Sequence, residues 1–243
     1  MVTAIQQELD AMLAEHRQSM TIKARFLRPL AGGQPASDDG LRAFIKHHLG
    51  IAPDAPEFEA AFQRIRKEEI GERSTTPETG EVQTEEVYAV NVIRKSEHGS
   101  FLLEHQLKAL IKQAASRLGL FQVKGKVGAK GDIAELGTIT ATGESLQNQD
   151  RPWEIYLRKN GAAAATHFVP ISGSVGTPQG KKSIQHHTEV AEEGAEFSFQ
   201  IAWPKKRLTM DDMKLILAAA TQIGVGSCLS LGYGRFEVVD LQD

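Results

Sequence analysis

The chain predicts an α+β fold: an antiparallel sheet of βαββαβ order that carries helical insertions and a C-terminal glycine-rich loop. Three observations point there. Residues 20–27 and 196–203 alternate apolar and polar side chains, as strands with one buried face do. Residues 101–118 and 209–221 space their apolar residues three and four apart, as helices packed along one stripe do. The strands and helices are also segregated along the chain in an order that one sheet with helices on one face accommodates.

Taken in order, residues 3–18 place Ile5, Leu9, Met12 and Leu13 on one helical face. The strand at 20–27 turns Ile22, Ala24 and Phe26 one way and Lys23 and Arg25 the other, and residues 29–35, with Pro29, Gly32, Gly33 and Pro35, read as a breaker. Residues 38–67 read as helices divided by Pro53 and Pro56, and 73–84 as an exposed loop or hairpin. The whole chain, 1–243, is thus expected to be a single domain, with an N-terminal helix at 1–19 and an inserted helical and loop subdomain at 36–86.

A strand at 87–93 precedes the clearest helix, 101–118, where Leu103, Leu107, Leu110, Ile111 and Ala114 form the stripe and Gly119 is a stop signal. Residues 124–131 form a basic, glycine-rich loop. A hairpin region spans 133–157, with Trp153, Ile155 and Leu157 alternating with Glu154 and Tyr156. A short strand at 166–171 and a second basic loop at 172–182 follow, and Glu193-Gly194 marks the turn before the strand at 196–203. Thr209, with Asp211 and Asp212 in the first turn, caps the last helix, and residues 236–240 form a closing strand.

Composition narrows the function classes. With 28 Lys and Arg against 31 Asp and Glu, the net charge is -3, so any nucleic-acid surface must be a local patch. A single cysteine, Cys228, excludes an intramolecular disulfide framework and a multi-cysteine zinc site, and it fits a reducing compartment. No apolar run has the length of a membrane span and no apolar leader is visible, so a cytoplasmic protein with no membrane partner is expected. No cofactor and no metal are expected: His187 and Glu189 share a strand face beside His186, yet a third ligand at recognisable spacing is missing.

The stretch from Gln222 to Phe236 holds Gly224, Gly226, Gly232 and Gly234. Such clustering calls for positive φ or for backbone in close approach to something else. One reading is a tight turn that packs the terminal strand; the glycines alone favour it. The other is a phosphate cradle of exposed N–H groups, to which Tyr233 adds a stacking face and Arg235 a charge. No Gly-Lys-Ser/Thr follows, so this is not a Walker loop.

Three segments resemble the repeat-associated mysterious protein (RAMP) superfamily, the RRM-like subunits of CRISPR effector complexes. Gly224-Val-Gly-Ser-Cys-Leu-Ser-Leu-Gly-Tyr-Gly-Arg-Phe236 looks like that family's glycine-rich loop. Glu189-Val-Ala-Glu-Glu-Gly-Ala-Glu-Phe-Ser-Phe-Gln-Ile201 is similar to its penultimate strand. Ser100-Phe-Leu-Leu-Glu-His-Gln-Leu-Lys-Ala-Leu-Ile-Lys112 occupies the place of its first helix, where only Leu107-Lys108 matches and His105, Gln106 and Ala109 replace the family's serine and glycine. Residues 29–35 and 177–182 also look like segments of RAMP-like proteins of phages and prophages, and the resemblance covers about half of the chain.

It implies an RRM/ferredoxin-like fold and a subunit that grips the sugar–phosphate backbone of single-stranded RNA, a guide RNA or another single-stranded nucleic acid, while associating with its own copies or with other effector subunits. The candidate contacts are Lys23 and Arg25, Lys108 and Lys112, Lys124, Lys126 and Lys130, Lys181 and Lys182, with Gly224, Gly226, Ser227, Gly232, Tyr233, Gly234 and Arg235 of the last loop.

Two alternatives stand beside this. One is a metal-independent endoribonuclease on the same fold, for which Asp38 and Asp39, or a general base among His47, His48, His98, His105, His186 and His187, are weak candidates. Ser37-Asp38-Asp39 has the simpler reading of a helix N-cap. The other is a phage-encoded assembly protein that does not bind nucleic acid.

Overall fold

Alternation in the first strand sets the architecture. Met20, Ile22, Ala24 and Phe26 are buried, while Lys23 and Arg25 lie on the opposite face. The computed structural model describes residues 15–35, 38–48, 50–66, 89–120, 137–177, 180–205 and 208–242. Its first elements are β1 (Arg17–Phe26), β2 (Leu30–Ala31), β3 (Gln34–Pro35), α1 (Asp38–His48), α2 (Pro56–Arg64), β4 (Ala89–Val92), β5 (Lys95–Ser96), β6 (Gly99–Leu103) and α3 (Glu104–Arg117). There follow β7 (Thr138–Ala141), β8 (Glu154–Tyr156), β9 (Arg158–Lys159), β10 (Ala162–Ala163), β11 (Thr166–Thr177), β12 (Gly180–Ala191), β13 (Glu196–Pro204), α4 (Met210–Ile223) and β14 (Phe236–Gln242).

Four strands of the six-stranded main sheet run β14-β1-β13-β7, each neighbour antiparallel, with β9 also joined to β13 and β10 to β9. With α3 between β1 and β7 and α4 between β13 and β14, the strands stand in the order fourth, first, third, second, which is the ferredoxin-like βαββαβ arrangement. Register places Ile22 opposite Phe199, Ala24 opposite Phe197, and Ile201 opposite Ile139. Those side chains meet Leu107, Ile111 and Ala114 of α3 and Met213, Ile216 and Leu217 of α4 in one core. There Phe26 stacks on Phe197 with centroids 4.9 Å apart, and Phe236 meets Phe197 edge-on at 5.5 Å. Each such side chain contributes roughly 1.5–3 kcal/mol on burial. Trp203 is fully buried, and its indole N–H donates to the Leu208 carbonyl at 3.0 Å.

The insertions build the rest. β11 and β12 form a long hairpin, β12 pairs in parallel with β4 and antiparallel with β2, and β4 pairs with β3. A smaller sheet runs β5-β6-β8. Pro56 opens α2, where its missing N–H is harmless, and Leu41, Ile45, Phe58, Phe62 and Ile65 close a second core around Val92. Among the described residues no helix is long and apolar enough to cross a membrane.

Several expectations need correction. The helix expected from residue 101 starts at Glu104, because Phe101 and Leu102 pair with Tyr156 and Ile155 as strand residues. Residues 29–35 are no mere breaker, since they supply β2 and β3. Among the described residues, 137–157 do not pair as a hairpin: β7 joins β13, whereas β8 joins β6. In β8, Glu154 and Tyr156 are as buried as Ile155, and Trp153 is the exposed one. The basic loop expected at 172–182 is the far half of the β11–β12 hairpin, paired from Ser172↔Gln185 to Thr177↔Gly180. The stretches 1–14, 73–84 and 124–131, where a helix and two loops were expected, lie outside the described residues.

Candidate nucleic-acid-binding cleft

The glycine-rich loop folds back on its own neck and onto the segment after β1. Val225 N–H donates to the Gly234 carbonyl at 3.0 Å, Gly234 N–H to the Pro29 carbonyl at 2.9 Å, and Ser227 N–H to the Ala31 carbonyl at 3.1 Å. A Cβ on Gly226 would lie 2.6 Å from Leu30 Cδ1, and one on Gly224 would lie 2.9 Å from the Gly234 carbonyl carbon. Gly224, Gly226 and Gly234 all have positive φ. They are therefore committed to close backbone packing, the reading the glycines alone favour. Gly232 has positive φ too, but open space around it.

Beneath Ser227 lies Gly32, whose peptide N–H donates to the Glu189 carbonyl at 2.8 Å. A Cβ on Gly32 would fall 2.3 Å from the Val92 carbonyl carbon, so β4 and this segment touch backbone to backbone. The Glu189 carboxylate anchors the underside. It accepts from Ile93 N–H at 3.1 Å and from Thr166 Oγ1 at 2.6 Å, and it pairs with Lys95.

These contacts bring the loop, the Gly32–Gly33 segment and the start of α3 around a cleft of about 300 Å³. Gly33, Gln34, Arg94, His105, Gln106 and Ser227 line its polar side, and among the described residues no Asp or Glu lines it. Arg94 Nη2 donates to Gln34 Oε1 at 2.9 Å, and Gln106 Oε1 accepts from Leu103 N–H at 2.9 Å, fixing the first turn of α3. His105 stands at the exposed rim. Partial desolvation there, then the charges of Arg94 and Lys108, hold its pKa below the ordinary histidine value against the opposing pull of Glu104.

The sequence-predicted residues are dispersed. Gly226 and Ser227 line the cleft. Arg235 is exposed and Tyr233 half-buried on the far limb of the loop, where the Arg235 carbonyl accepts from Leu27 N–H at 2.8 Å. Lys23 and Arg25 lie on the open face of the main sheet, each tied to Glu196, at 2.8 and 2.9 Å, with Glu237 3.6 Å from Arg25. The hydrogen bond between them raises the pKa of Lys23 and lowers that of Glu196. The neighbouring strand turns Phe197 and Phe199 inward, so the aromatic platform of an RRM is not built from them.

Lys108 pairs with Glu104 at 3.4 Å, one turn back on α3, and Lys112 follows it half-buried. The backbone of Lys181 and Lys182 stands in β12 opposite Gly176 and Val175, whereas Lys124, Lys126 and Lys130 lie outside the described residues. Asp38 starts α1 and pairs with Arg66, with Asp39 next in the same turn. His186 and His187 are successive residues of β12, whose backbone stands opposite Ile171 and Pro170. Among the described residues no three of His, Cys, Asp and Glu gather as metal ligands would.

The sequence marks Gln106 only as a departure from a motif and His105 as that and as a weak general-base candidate, and it gives Gln34 and Arg94 no role. The one available signal was the Gly32-Gly33 pair, which was read as a chain break.

No protein-family model matches this chain, and no curated protein is similar to it. Among solved structures it is similar to a chain of the Type III-B Cmr-beta complex bound to cognate target RNA, determined by cryo-electron microscopy. The identity is 13% and the TM-score 0.38, over 99% of this chain and 66% of that chain, so the present chain spans just under two thirds of its neighbour's length.

Proposed function

We propose that this chain is a RAMP-like subunit that holds single-stranded RNA by its sugar–phosphate backbone across the rim of the cleft, and that it associates with further copies or other effector subunits along the strand. One observation carries the reading. The three segments that resemble the RAMP family, far apart in sequence, meet around Gly32. Ser227 of the glycine-rich loop donates to the Ala31 and Gly32 carbonyls, the Glu189 carbonyl accepts from Gly32 N–H, and His105 and Gln106 of the first helix face the same cleft.

Charge supports it. In a chain of net charge -3, a cleft lined by Arg94 and His105, and among the described residues by no carboxylate, is a local site that favours phosphate. The backbone adds a second support: Cys228 is left-handed, with φ 56° and ψ 30°, directly before the short helical turn Leu229–Leu231. A left-handed residue before a helical turn is the backbone pattern of an anion-binding nest, here directly after Ser227, which lines the cleft. Contacts of both kinds are indifferent to base sequence, as a backbone subunit requires.

The test is to purify the full chain and follow its absorbance ratio and size distribution before and after RNase and DNase. RNA-bearing particles that collapse on RNase alone are expected. Nucleic-acid-free protein of fixed size, with no binding to single-stranded RNA or DNA at low salt, would overturn the proposal in favour of a protein-only assembly role.

A further inference from the structure

We infer that Trp153, outside the cleft, is a stacking platform for one base of the bound strand where that strand passes the first turn of α3; this rests on the RNA-binding reading above. The two tryptophans of this chain have opposite settings. Trp203 is fully buried, with its indole N–H satisfied by the Leu208 carbonyl. Trp153 is 44% exposed, and its indole N–H meets no acceptor among the described residues. A broad apolar ring with a free donor, both in water, is the amphipathic kind of surface that binding sites use.

The backbone beneath the ring is held on three sides. Glu154 N–H donates to the Arg151 carbonyl at 3.0 Å, closing a turn around Pro152 and Trp153. The Pro152 carbonyl accepts from Ala141 N–H at 2.6 Å, and the Trp153 carbonyl accepts from Glu104 N–H at 3.0 Å. That last bond satisfies an orphan N–H of α3 and ties Trp153 to the residue just before His105, which lines the cleft. Trp153 itself does not line the cleft, so a base on it lies outside. The acids beside the ring are each offset by a cation: Glu154 pairs with Arg151 at 3.3 Å, and Glu104 with Lys108 at 3.4 Å. A phosphodiester can therefore approach.

The surroundings select a base over a protein partner. None of the other exposed large apolar side chains among the described residues stands in β8, in α3 or between β7 and β8. A single flat ring suits a base, whereas a protein partner calls for a contiguous apolar patch. Every base has a π-face, so the platform adds affinity without reading sequence, in keeping with a subunit that grips the backbone.

Tryptophan fluorescence of the full chain tests this, because Trp153 and Trp203 are the only tryptophans and Trp203 is buried. The probes are an end-labelled oligoadenylate and its abasic counterpart of equal length and phosphate count, whose binding is followed separately by anisotropy of the label. Saturating oligoadenylate is expected to quench the exposed tryptophan, the abasic oligomer to leave it unchanged, and Trp153→Phe to abolish the quench. Trp153→Ala should weaken oligoadenylate about five- to tenfold and the abasic oligomer less than about twofold, while Trp153→Phe, which keeps a ring, recovers most of the loss. Bound oligoadenylate without quenching, or equal losses for the two oligomers in Trp153→Ala, overturns the platform and leaves the backbone-binding reading standing. An emission shift of Trp153 that follows protein concentration in the absence of RNA, and not RNA, assigns the ring to a subunit interface and overturns the platform too. Failure of the wild type to bind either oligomer at low salt overturns the backbone-binding reading itself.

Discussion

Val225 and Gly234 clasp the neck of the glycine-rich loop: the valine N–H donates to the glycine carbonyl at 3.0 Å, and a Cβ on Gly234 would sit 1.8 Å from the valine carbonyl oxygen. The loop is held by backbone, and only glycine fits there. Gly234→Ala is expected to cost about 2–4 kcal/mol, combining overpacking with a left-handed φ. Gly232→Ala, with the same sign of φ but open space, should cost about 1–2 kcal/mol. Urea unfolding of the two variants checks the difference; equal losses would mean that the clasp does not govern the loop.

Tyr156 predicts an alkaline weakness. Burial, and the hydrogen bond it donates to Glu154 Oε2 at 2.7 Å, push its pKa up to about 12 from the ordinary 10.0, although Ser96 at 2.8 Å pulls the other way. The folded state therefore retains a proton that the unfolded chain releases, so stability is present below pH 10.0 and is lost as pH rises toward 12. The loss should reach on the order of 2–3 kcal/mol. Spectroscopic titration of the folded protein should show one phenol ionising about two units late, and Tyr156→Phe should remove that component.

His105 predicts the opposite sign. Its folded pKa lies below the ordinary histidine value, so the unfolded chain takes up the proton first and stability falls as pH drops through that window. RNA affinity should move the other way, because a protonated His105 adds a cation to a cleft that no carboxylate lines among the described residues. Affinity measured across mildly acidic pH should rise on acidification in the wild type and stay flat in His105→Asn.

At the start of α4, Thr209 Oγ1 accepts from Asp212 N–H at 3.1 Å, and Asp212 Oδ2 accepts from Thr209 N–H at 2.9 Å. Thr209→Ala should lower stability by about 1 kcal/mol, read as a lower urea midpoint at unchanged slope.

The parts of this fold that were legible in sequence are those with one wet face. β1 and β13 alternate because water meets Lys23, Arg25 and Ser198 on one side while Ile22, Ala24 and Phe199 face the helices. β8 hid because it is buried on both faces, and its polar residues satisfy one another through the Tyr156–Glu154 hydrogen bond. The far half of the β11–β12 hairpin hid behind glycines, serines and lysines, a composition shared with loops. At the site, the glycine cluster was visible, but its partners Pro29 to Gly32 were not. Gln34 and Arg94 lie 60 residues apart, and only the β3–β4 pairing brings them together.

The central claim is that RNA lies across the cleft and not along the open face of the sheet. The direct measurement is the affinity of a short single-stranded RNA as a function of salt, for the wild type, Arg94→Ala and Lys23→Ala. The account predicts binding that weakens linearly in log affinity against log salt, a loss of about tenfold for Arg94→Ala, and a change within about twofold for Lys23→Ala, whose charge Glu196 already offsets. A larger loss for Lys23→Ala than for Arg94→Ala, or no salt-dependent binding at all, would contradict it.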